Sequence, residues 1–103
     1  MSATYVRELD GALGAWMSVD FTTDRRDVTD YSIVLLLEEG EQIKTVRLYD
    51  GAHGENEMHR YSQQGGKQAA EVFHRGTLGE GMRTAIDAIK RSYQPIIEAW
   101  RRQ

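Results

Sequence analysis

Strand-like apolar patterns occupy the middle of the chain, and the last quarter changes to a period near 3.6. From Trp16 to Thr22 the apolar residues Met17, Val19 and Phe21 alternate with Ser18, Asp20 and Thr22. That is the pattern of a strand with one buried face. Tyr31 to Glu38 is apolar at consecutive central positions, Ile33 to Leu37, which predicts a strand in the middle of its sheet. Glu39-Gly40 supplies turn chemistry, and Gln42 to Asp50 reads as the return strand of a hairpin. Simple alternation places Val46 and Leu48 on one face of that strand and Thr45, Arg47 and Tyr49 on the other. A second hairpin is predicted from Glu57–Gln63 and Lys67–His74 around Gln64-Gly65-Gly66.

The two ends read as helical. Tyr5, Leu9 and Leu13 lie four apart and predict a short helix within 2–14, weakened by Gly11 and Gly14. Thr77-Leu78-Gly79-Glu80 matches a capping box. Beyond it Met82, Ile86, Ile89, Tyr93, Ile96, Ile97 and Trp100 form one apolar stripe. Pro95 is expected to kink or split this helix near its end, and Arg101 and Arg102 suit its negative pole. The sum is one α+β domain over 1–103. It is an antiparallel sheet of about four or five strands with a long amphipathic C-terminal helix packed on one face.

Charge and composition narrow the function classes. The formal net charge is −3, with 13 Lys and Arg against 16 Asp and Glu, which disfavours a broad nucleic-acid-binding surface. The chain has no cysteine, so disulfides and thiolate metal sites are excluded and a cytoplasmic location is expected. Its first residues lack the apolar run of a secretory signal. The longest apolar run, Ile33 to Leu37, is far too short to cross a membrane.

Candidate chemistry concentrates in 46–61. His53, Glu57 and His59 could transfer protons, while Arg47, Arg60 and Lys67 could bind a phosphate. Tyr49 and Tyr61 could stack on bases. Asp50, His53, Glu57 and His59, with His74 across the second hairpin, could ligate a metal ion, although their spacing matches no metal signature. The same residues also admit a purely architectural reading. There, an Arg47–Asp50 ion pair fixes the strand exit, and Gly51 and Gly54 permit positive φ.

The segment Arg47-Leu48-Tyr49-Asp50-Gly51-Ala52-His53, with Lys67 to His74 downstream, resembles the Arg-Tyr-Asp-Asn-Ala-His stretch of small proteins related to the TumE toxins of bacterial toxin–antitoxin systems. The resemblance implies a small intracellular toxin that acts on RNA or translation, and a metal-independent RNase is the first reading of it. It would be neutralised by a helix-turn-helix antitoxin. Arg47, Tyr49, Asp50 and His53 carry the match. The chain departs from the pattern by the inserted Leu48 and by Gly51 in place of Asn. On this reading His53 is the general acid or base and Arg47 binds phosphate. Asp50 orients His53 or Arg47, Tyr49 positions the substrate, and His59 and Arg60 are further substrate contacts. No metal or cofactor is expected. The alternative is a non-enzymatic protein-interaction module, using an exposed sheet edge or the basic helix end at Lys90-Arg91 and Arg101-Arg102.

Overall fold

The computed structural model describes all residues, 1–103. Alternating apolar residues build six strands in sequence order, each antiparallel to the next: β1 (Ser2–Asp10), β2 (Ala15–Asp24), β3 (Asp27–Glu39), β4 (Gln42–Asp50), β5 (Asn56–Ser62) and β6 (Gly66–His74). Short hairpins set this meander. Arg25 at φ 60° and Gly40 at φ 61° occupy the tight turns after β2 and β3, where left-handed backbone is needed. One helix, α1 (Leu78–Arg101), follows and covers one face. No helix is long and apolar enough to cross a membrane.

The core lies between α1 and the inner sheet face. Met17 and Val19 of β2, Tyr31, Ile33, Leu35 and Leu37 of β3, and Val46 and Tyr49 of β4 are buried against the helix. Tyr49 meets Phe73 edge-on, with ring centroids 5.0 Å apart. The helix presents Gly81, Ala85, Ile89, Ile96, Ile97 and Trp100. Its first turns therefore touch the sheet with small residues. Met82 and Ile86 flank the contact at intermediate burial.

Three expectations change. The segment 2–14 is not helical. It forms edge strand β1, with Tyr5 opposite Val19. A spacing of four keeps side chains on one face of a strand as well as of a helix, so Tyr5 and Leu9 could not distinguish the two. This strand raises the total to six. Of the two outcomes expected at Pro95, a split does not occur: the helix runs unbroken through it. Pro95 and Arg91 are exposed, so the Arg91 carbonyl that loses its donor faces solvent rather than the core. Finally, β4 carries a bulge: Leu35 faces Arg47 while Leu36 faces Thr45. The extra residue, Val46, turns inward onto the same face as Tyr49, and Leu48 turns outward.

Asn56 fastens the helix to the sheet. It is 1 % exposed. The Tyr31 hydroxyl donates to its Oδ1 at 2.8 Å. Its Nδ2 donates toward the carbonyls of His74, Gly76 and Thr77 at 3.2–3.3 Å. Those carbonyls belong to the end of β6 and the helix cap. The Thr77–Glu80 capping box closes the same turn, and its bond to the Thr77 backbone holds the Glu80 carboxyl below its ordinary pKa. Gly81 leaves room for the amide, since a Cβ there would collide with the Asn56 side chain.

Asn56→Ala should therefore strand the Tyr31 hydroxyl and buried carbonyls, lowering stability by about 2–4 kcal/mol in chemical denaturation. Gly81→Ala should also destabilise, by about 1–3 kcal/mol, despite alanine's better helix propensity. Gly79→Ala has no neighbour within 3.7 Å of the new Cβ and should be neutral or stabilising by up to about 1 kcal/mol.

Candidate functional site

With the helix on one face, the polar block divides by side. Asp50 pairs with Ser32 and Glu57, and Glu57 with Val72. The next row runs through Val34, Leu48, His59 and Ala70. Both rows alternate with the buried residues Tyr49 and Met58, so they face away from α1. Asp50, Glu57 and His59 thereby meet on the uncovered face. One ligating atom from each lies within 4.8 Å of the others.

The three are sheltered. Asp50 keeps 9 % of its accessible surface, and the side chains of Glu57 and His59 keep 15 % and 12 %. Asp50 Oδ1 accepts from the Ala52 N–H at 3.3 Å, an Asx-type turn that shapes the strand exit. Its Oδ2 faces His59 Nε2 at 3.6 Å, longer than a hydrogen bond. The other ring nitrogen of His59, Nδ1, lies 3.0 Å from the Gln68 carbonyl oxygen. A carbonyl only accepts, so Nδ1 carries the proton in that bond and Nε2 is turned to the carboxylates. Glu57 reaches the other way, to His53 Nδ1 at 3.0 Å.

His53 sits in the 51–55 loop with its side chain 81 % exposed. The hydrogen bond and then the charge of Glu57 raise its pKa above the ordinary imidazole value, with Asp50 adding to this and Lys67 opposing it. Beneath the cluster, burial and the Asp50 charge hold the Tyr31 phenol protonated well beyond its usual range. Gly51 is not a positive-φ position. It is needed because a Cβ there would press on Leu78 and the Tyr31 ring at 3.0 Å.

The structure thus gathers His53, Asp50, Glu57 and His59, all of them candidates in the sequence. Arg47 and Tyr49 are not brought to them. Both lie on the helix face, where Tyr49 is 4 % exposed and Arg47 lies beside Ile96, Ala99 and Trp100 with a buried, unpaired Nε. Arg47 and Asp50 point to opposite faces, so the ion pair of the architectural reading does not form. Arg60 is engaged by Glu71 at 2.7 Å, and His74 pairs with Glu80 at the helix cap. The signal for Glu57 was its i,i+2 relation to His59, which on a strand means a shared face.

A His53 titration followed by NMR should give a pKa above about 6.5, falling toward that value in Glu57→Gln. Because the folded pKa is the raised one, the pair's contribution to stability is complete below about pH 6.5. It fades as pH rises through the folded value. An unshifted His53 in the wild-type chain would contradict the pairing.

No curated protein and no solved structure matches this chain significantly. A family profile does, along its whole length: over residues 1–103 the chain belongs to the family described as a domain of unknown function, DUF7718.

Proposed function

We propose that this is a toxin-like, RNA-directed domain whose chemistry runs on the open sheet face. The observation that carries the reading is the pairing of two histidines with two carboxylates in one patch: His53 with Glu57, and His59 with Asp50. Cleavage of RNA through its 2′-hydroxyl needs one group to take a proton and another to give one. His59 Nε2, left free by the Nδ1 bond to Gln68, is the base for the 2′-hydroxyl. Exposed His53 is the acid for the leaving 5′-oxygen. Glu57 orients the His53 ring and the Gln68 carbonyl orients that of His59. Arg47 has no part in this version, and Lys67, whose charge reaches His53, is the nearby cation. Cytoplasmic RNA is the substrate class the resemblance to TumE-like toxins supports.

A second reading, a non-enzymatic interaction module, is favoured by the sheet edges. β1 and β6 are exposed over most of their length and offer unpaired backbone to an added strand. A neutralising antitoxin could use the same edge.

Expression of the wild-type chain should slow growth and degrade cellular RNA. His53→Ala and His59→Ala should each lower RNA cleavage by about 10²–10⁴-fold while circular dichroism stays unchanged. Free expression of the wild type with intact RNA would refute the enzymatic reading. Capture of one stable protein partner in the same cells would then favour the second.

A further inference from the structure

Two carboxylates and an imidazole converge on the open face. Asp50 and Glu57 stand opposite each other on neighbouring strands, both largely withdrawn from water. Neither makes a salt bridge to a lysine or arginine: the basic side chains beside them are His59 and His53 respectively. Two sheltered carboxylates side by side repel each other unless something positive sits between them. Asp50 is nine-tenths buried, and its Oδ2 is aimed at His59 Nε2 without a hydrogen bond.

The geometry points to a divalent transition-metal site formed by Asp50, Glu57 and His59. Three protein ligands of mixed carboxylate and imidazole type, with the remaining position open, suit zinc and its first-row neighbours. Around a tetrahedral ion with bonds near 2.1 Å, ligand atoms lie about 3.4 Å apart. The Asp50 Oδ2–His59 Nε2 separation of 3.6 Å matches this. Glu57, which also holds His53, brings its carboxylate within the 4.8 Å span of the group. The support behind the ligands fits as well. A metal-bound histidine characteristically donates its other N–H to a carbonyl or carboxylate, which fixes its tautomer, and His59 Nδ1 does so to Gln68. Two carboxylates with a neutral imidazole carry two negative charges, which one divalent ion cancels. An ion held there would occupy the His59 Nε2 lone pair, so ion binding and the general-base role of His59 exclude each other in any one molecule.

This goes beyond the RNA-directed reading and does not rest on it, because the test reads binding with no RNA present. Zinc titrated into the full-length chain in a calorimeter should bind at one ion per chain. Asp50→Asn and His59→Ala should each weaken it by more than about tenfold, the least expected even for an outer-shell partner. His74→Ala removes a histidine engaged elsewhere, with Glu80, and should leave binding unchanged. Asp50→Asn is nearly isosteric, which separates lost ligation from lost fold. No saturable binding by the wild type, or binding that survives both Asp50→Asn and His59→Ala, would overturn the assignment.

Discussion

The Asn56 carboxamide joins three parts of the chain that the meander alone would leave independent: strand β3 through Tyr31, the end of β6 through His74, and the helix cap through Gly76 and Thr77. A buried amide is costly unless its hydrogen-bonding groups find partners. Here the partners are the hydroxyl and carbonyls that would themselves be stranded without it. The amide also occupies the space left by the missing side chain of Gly81. This fixes where α1 lands, and hence which sheet face is closed.

The placement of the site follows from that closure. Once α1 lies over Tyr31, Tyr49 and Met58, the intervening residues Asp50, Glu57 and His59 must face the other way. Asn56 is the first residue of β5 and Glu57 the next, so the anchor and the site share one strand. The bulge at Val46 adds a second constraint. It keeps Val46 and Tyr49 both inside although they are three apart, and sends Arg47 under the last turns of the helix. A block that is uniformly polar in sequence becomes half core support and half open surface.

Much of the fold was legible because amphipathic patterns are strong where one face is buried. β2 to β5 and the capped helix carry such patterns, β6 was marked by the glycine turn before it, and Gln42–Asp50 matches β4 at both ends. β1 was hidden because its residues are mostly exposed and its four-residue spacing fits either period. The bulge was invisible for the opposite reason: Thr45 to Tyr49 alternates without a flaw, so nothing in the pattern marks an extra residue. Of the candidate residues, His53, Asp50, Glu57 and His59 converge. Arg47 and Tyr49 do not, since their direction depends on the bulge and on the side chosen by the helix. Proximity in sequence suggested Arg60, but Glu71 on the next strand holds it. Glu57 required the pairing of Asp50 with Glu57, a register that depends on the length of the 51–55 loop.

The account turns on His59 being held with Nε2 bare and directed at Asp50 and Glu57. Long-range proton–nitrogen correlation NMR at alkaline pH, where imidazoles are neutral, reads this state directly. The Gln68 contact predicts the proton on Nδ1 and an unprotonated Nε2, the reverse of the tautomer that free histidine prefers. A proton found on Nε2 would contradict it, because that nitrogen could then neither accept a substrate proton nor ligate an ion.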